Sequence, residues 1–159
     1  MIRQICSVQI VCILTSSAFA QTPTLDYALA FTVGFSPAAT IEAMTSDVSG
    51  NTYLTGTFSG MCDFDPGPGA FDLFAPPNES HVFVTKLGPQ GDLIWARQYN
   101  SDCMSVSRRS IATDVFGNIF IAGSFQCEMD FDPGPGIQVL SSVGGNMYIT
   151  KLNPMGDFA

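Results

Sequence analysis

The sequence predicts an all-β protein built from antiparallel four-stranded units, and three observations predict it. The heptapeptide DFDPGPG occurs twice, at residues 63–69 and 130–136, 67 residues apart. The segments around it recur in the same order: DVSGNTYLTGTF at 47–58 returns as DVFGNIFIAGSF at 114–125, and VFVTKLGPQGDL at 82–93 returns as MYITKLNPMGDF at 147–158. The offsets are 67 and 65, and the difference falls in the loop after DFDPGPG, where length changes are tolerated. Third, β-branched and aromatic runs alternate with turn-formers, and no run has a helical period. Ordered matches at nearly constant spacing define one structural unit, here of about 65 to 70 residues.

Residues 1–20 read as an export leader. Arg3 supplies a positive start, residues 5–14 an apolar run, and Ala18-Phe19-Ala20 a small-x-small cleavage site before Gln21. The run is short for a membrane span, and no other segment could make one, so no span is expected after processing. The mature chain is expected to be secreted, periplasmic or at the cell surface. Residues 21–34 hold an N-terminal strand, LDYALAF at 25–31, that resembles LIWARQY at 93–99.

The first unit covers 35–101, with strands expected at 41–46, Thr52–Phe58, 82–87 and Leu93–Tyr99. The turns DVSGN and GPQGD separate them. Gly50-Asn51 and, in the second copy, Gly117-Asn118 tolerate positive φ and mark tight reversals. The second unit covers 102–159, with strands at 110–113, Ile119–Phe125 and 147–152. It reaches GDFA where the first unit continues as GDLIWARQY, so its fourth strand is missing.

Four antiparallel strands in a repeated meander are the blade of a β-propeller, and propellers close with four to eight blades. One complete blade plus a partial one gives an incomplete or open propeller. The combination of Gly-Asn, aromatic strand, DFDPGPG, Lys-Leu and Gly-Asp resembles the secreted bacterial β-propeller repeat, the SBBP repeat, over nearly the whole mature chain. The resemblance implies a propeller in an exported protein and no single defined activity. Two blades cannot curl into a ring. The chain is therefore expected to be a fragment of a longer propeller, or to join other copies head to tail through open blade edges. The N-terminal strand is expected to complete the last blade, and an open end leaves an edge strand prone to aggregation.

The formal charge is −8, and losing Arg3 with the leader makes it −9. An acidic surface excludes nucleic acid and anionic membranes as partners, because both need basic groups. Hydrophobic residues make up 46% of the chain, enough for a core, so this is not a disordered acidic tail. Of the cysteines, Cys6 and Cys12 lie in the leader, leaving Cys62, Cys103 and Cys127. One disulfide suits an oxidising compartment, with Cys103 paired to either of the others as the first expectation. No Cys-x-x-Cys is present and His81 is the only histidine, which disfavours zinc.

In DFDPGPG, Asp63 and Asp65, like Asp130 and Asp132, would point to one side of an extended segment. As turn elements, Phe anchors the loop, Asp caps backbone N–H groups, and each Pro-Gly makes a type II turn. As metal ligands, the same four aspartates would take calcium, with further oxygens from Glu128 or a neighbouring loop. The turn role is preferred, because the bidentate glutamate of an EF-hand loop has no counterpart: position 12 is Phe74 in one copy and Ser141 in the other. No cofactor is otherwise implied. His81 reads as a surface histidine, Lys86 and Lys151 as solvated or paired with a loop aspartate, and Trp95, Tyr27 and Tyr99 as packing between blades. Asn78-Glu79-Ser80 is a sequon. The function expected is a non-catalytic binding or scaffold module with a protein or glycan ligand. The alternatives are a fragment of a propeller hydrolase or lyase, for which no convergent acid–base set is visible, and a truncated product without independent function.

Overall fold

One turn design, used repeatedly, sets the strand register. In DVSGN, Asp47 N–H donates to Asn51 O (3.0 Å) and Gly50 N–H to Asp47 O (3.1 Å), with Gly50 at φ +82°. That is a type I turn closed by a left-handed residue, which only glycine adopts without cost. DVFGN repeats it through Asp114, Gly117 and Asn118, and 153–157 and 88–92 repeat the same backbone bonds. The computed structural model describes residues 7–11, 28–33, 39–76, 78–101 and 107–159, and for 7–11, 28–33 and 107–108 the backbone alone.

The described residues form thirteen strands and no helix. They are β1 (Ser7–Val11), β2 (Ala28–Val33), β3 (Ala39–Ser46), β4 (Thr52–Phe58), β5 (Gly60–Asp63), β6 (Asp72–Ala75), β7 (His81–Leu87), β8 (Leu93–Tyr99), β9 (Ser107–Thr113), β10 (Ile119–Phe125), β11 (Glu128–Asp130), β12 (Val139–Ser141) and β13 (Asn146–Leu152). All pairings are antiparallel, and none of the sheets closes on itself. The first unit is the sheet β3-β4-β7-β8 and the second is β9-β10-β13. β3 and β9 begin earlier than the sequence suggests, by two and three residues.

The sequence reading missed two short hairpins. β5-β6 and β11-β12 carry DFDPGPG at their tips. Each hairpin meets a strand of what precedes it. At the second, Ser101 bridges Met129, and Asp130 N–H donates to Asn100 O (2.9 Å). At the first, β2 pairs through Val33 with Cys62 and Thr32 with Asp63. Cys62 and Asp63 lie 67 residues before Met129 and Asp130, and Thr32 and Val33 lie 68 before Asn100 and Ser101. β2 therefore sits against the first unit as the end of β8 sits against the second. This differs from the expectation that the N-terminal strand completes the last unit. On its other edge β2 pairs with β1, inside the segment read as a leader.

The two units pack face to face. Tyr53, Val82, Val84, Trp95 and Tyr99 of the first meet Ile111, Ile119, Ile121, Phe125, Tyr148 and Leu152 of the second in one buried cluster. Trp95 closes the seam at one end, its Nε1–H donating to Pro154 O (3.2 Å), with Gly156 so close that an added Cβ would lie 3.1 Å from the indole. A second cluster, with Leu54, Phe58, Phe64, Phe83 and Leu87, fills the opposite face of the first unit. The first strands of the two units lie side by side. Arg109 N–H donates to Glu42 Oε2 (3.2 Å), their side chains form an ion pair, and Thr113 Oγ1–H donates to Ser46 O (3.4 Å).

Cys127 is in a disulfide whose partner lies outside the described residues, as do Cys103 and Tyr27. Cys62 retains its thiol, so the Cys62–Cys103 pairing is not made.

Candidate functional site

The aspartate loops come first, because the sequence pointed there. Asp63 ends β5, and its Oδ1 accepts from Asp65 N–H (3.0 Å) and Phe71 N–H (2.8 Å). Asp65 Oδ1 accepts from Gly67 N–H (2.8 Å). The second loop matches bond for bond: Asp130 Oδ1 accepts from Asp132 N–H (3.0 Å) and Gln138 N–H (2.8 Å), and Asp132 Oδ1 from Gly134 N–H (2.8 Å). The carboxylates thus satisfy backbone donors that the hairpin tips leave over. The expected type II turns are absent from both loops, since none of Gly67, Gly69, Gly134 and Gly136 has positive φ. Aspartate-to-amide turns replace them. The glycines serve close approach instead: a Cβ on Gly69 would lie 2.3 Å from Asp65 Oδ2. Gly136 meets Asp132 Oδ2 in the same way.

The phenylalanine between the aspartates is the anchor. Phe64 packs edge-on to Phe58 (5.3 Å between centroids) and tilted on Phe83 (4.8 Å). Phe131 repeats this on Phe125 (5.4 Å) and Tyr148 (4.8 Å). As metal ligands, the four aspartates would bring two carboxylates per loop, each with one oxygen already engaged, whereas calcium takes six to eight oxygens. Among the described residues no group of three or more His, Cys, Asp or Glu is arranged to hold a metal ion.

A second feature lies where the hairpins flank the seam. A cleft of about 500 Å³ is lined by Glu79, His81, Gln98 and Asn100 of the first unit and Glu128 and Asp130 of the second, with Phe74 and Val139 on its walls. His81 is not a surface residue: it is 4% exposed, because β7 carries it inward against the ring of Phe58. Its Nε2 lies 3.1 Å from Glu79 Oε2 and its Nδ1 3.4 Å from Gln98 Nε2. The glutamate acceptor calls for a proton on Nε2. Gln98 also donates to Phe74 O (3.2 Å) and Asn100 Oδ1 (2.9 Å). Ser101 Oγ–H is engaged with Ser80 O (3.1 Å), so it is not presented to His81 as a nucleophile. The lining is anionic and amide-rich, suited to hydrogen-bonding a polar or basic ligand.

The third polar group is buried between the units. Arg109 has a fully buried side chain, paired to Glu42, which is 21% exposed. Beside it the Tyr148 hydroxyl is pushed up by burial, with the Arg109 charge acting against that. Sequence reasoning missed this pair. The available signal was that Glu42 and Arg109 are the same position of successive repeats, with opposite charge. Lys86 lies over the Tyr53 ring (5.2 Å) and Lys151 over Phe120 (6.0 Å), and the Lys151 charge also helps to hold the loop carboxyl of Asp114 down.

Compared with known proteins, the chain matches no protein-family model, no curated protein and no solved structure.

Proposed function

We propose that the chain is an exported propeller-repeat segment, of the kind the SBBP resemblance implies, that acts as a non-catalytic binding or scaffold module. The observation that carries the reading is the packing of the two units. Consecutive repeats lie face to face with their first strands adjacent, and β2 and the two residues that follow β8 meet the next hairpin at equivalent positions. Neighbouring blades of a propeller relate in this way. The cleft at the seam supplies a place for a protein or glycan ligand, because it combines amide and carboxylate groups with apolar walls. The aspartate loops act in it as rigid turns at the cleft's margin.

The hydrolase or lyase reading rests on the same cleft, through His81 and Glu79. It is weaker because the neighbouring hydroxyl of Ser101 is held by Ser80. A glycan and peptide array probed with the exported protein separates the two. Ligand retained without chemical change, and lost on Gln98→Ala or Glu128→Gln, supports the binding module. Turnover of a retained ligand, read by mass spectrometry, would replace that reading with an enzyme.

A further inference from the structure

The second unit presents an apolar sheet face. Phe120 is 37% exposed, Met147 90% and Ile149 78%. Their repeat equivalents in the first unit, Tyr53, Val82 and Val84, are each 0% exposed, because the second unit packs on them. The same three positions thus form a buried interface in one unit and an open face in the next. The chain shows what such a face takes: the opposite face of a following unit.

Among the described residues β13 is also the open edge strand of that sheet. In the first unit β8 lies along β7, with Val82 opposite Tyr99 and Val84 opposite Arg97. In the second, β13 is met only at its end among the described residues, by the bridge Leu152–Phe158 and a bond from Ala159 N–H to Lys151 O (3.1 Å). A strand with the required properties exists in the chain: β2. It resembles β8 in sequence and meets β5 as the end of β8 meets β11.

Resting on the repeat-module reading, we propose that the exported chain assembles head to tail with a second copy of itself. β2 of one copy becomes the fourth strand on β13 of the next, and the first unit of that copy covers Phe120, Met147 and Ile149. Transferring the β7–β8 register by the repeat offsets sets Met147 opposite Phe31 and Ile149 opposite Leu29 of the partner copy. The edge of β2 that this requires is the one β1 occupies in the full-length chain, where Phe31 pairs with Val8 and Leu29 with Ile10. Removal of residues 1–20 opens it. Such an interface is heterologous, so it closes into a ring where the rotation suits and otherwise extends.

The test uses the exported, processed protein. Analytical ultracentrifugation over a dilution series should give a species larger than one chain, and Ile149→Lys should reduce it to the monomer with its melting curve retained, because Ile149 is exposed within the chain. A Leu29→Cys, Ile149→Cys variant should form a ladder of disulfide-linked multimers on oxidation, while neither single variant does. A cooperatively melting β-protein that stays monomeric overturns the assembly and leaves the module reading standing, as does an oligomer indifferent to Ile149→Lys. The module reading itself falls on ligand turnover, which is scored independently of mass.

Discussion

Glu42 and Arg109 occupy the same position of successive repeats and form an ion pair across the interface between them. Their partnership is unequal. Arg109 is wholly enclosed, while Glu42 reaches solvent. Removing the glutamate strands a buried cation, whereas removing the arginine leaves a carboxylate that water can serve. Glu42→Ala is expected to lower stability by about 3 kcal/mol or more, and Arg109→Met by about 1 kcal/mol or less. Urea unfolding of both variants checks this, and a larger loss for Arg109→Met would contradict it.

Gly56 lies against the bulge in β3, where an added Cβ would overlap the carbonyl oxygen of Thr40. A backbone atom fixed in a sheet cannot yield as a side-chain tip can. Gly56→Ala is expected to cost about 3 kcal/mol or more. Gly123, its repeat equivalent, faces the Tyr148 ring at 2.9 Å instead. Gly123→Ala should cost less, since the ring can shift. Thermal melts of the two variants give the order.

The DFDPGPG aspartates are expected to contribute as caps without metal. Asp130→Ala removes an acceptor from two N–H groups and should cost about 1–2 kcal/mol. Calcium should leave the melting temperature of the parent protein unchanged. A calcium-dependent rise that disappears in Asp63→Asn/Asp65→Asn would show instead that the loops are ligand sets.

Acid should weaken the protein through its turn aspartates. Burial pushes the Asp47 carboxyl up, but hydrogen bonds from Asn51, Tyr53 and Ser49 hold it below its ordinary 3.8. At Asp114 the Asn118 side chain leads the same downward shift, opposed by burial. A depressed folded pKa contributes stability that is complete above the unfolded value and lost as pH falls through the folded one. Stability should therefore hold above about pH 4 and decline below it. The decline should be shallower in Asp47→Ala/Asp114→Ala, as urea midpoints across the acid range would report.

Cys62 should resist alkylation in the folded protein. Burial, then the charges of Asp63 and Asp72, push its thiol up to about 12. Iodoacetamide at mildly alkaline pH is expected to label it only after denaturation. Rapid native labelling, located by peptide mapping, would contradict its enclosure.

The antiparallel units, of four strands and three, could be read from the sequence because each signal was local. Gly50 and Gly117 mark the reversals, and Thr52–Phe58 and Ile119–Phe125 carry a β-forming run of seven residues each. The hairpins β5-β6 and β11-β12 were not legible, since three or four residues are too few to show a period. His81 was misjudged for another reason. Its enclosure comes from Phe58 and Gln98, on strands either side of its own, and no spacing along the chain announces them. In DFDPGPG the aspartate caps were legible, but the turn type was not, because Asp65 Oδ1 takes the Gly67 N–H and no positive φ is needed at that glycine.

The recurring five-residue turn has a kinetic consequence. Where β3 meets β4 and β9 meets β10, the chain closes on itself through bonds four residues apart, such as Asp47 to Asn51 and Asp114 to Asn118. Hairpins of that kind form in about 1–10 μs. The contacts that join one unit to the next, Glu42 with Arg109 or Trp95 with Pro154, span 67 and 59 residues. Each repeat is thus set to gain its hairpins early, and the slow event in folding is the search by which two preformed sheets find a common seam.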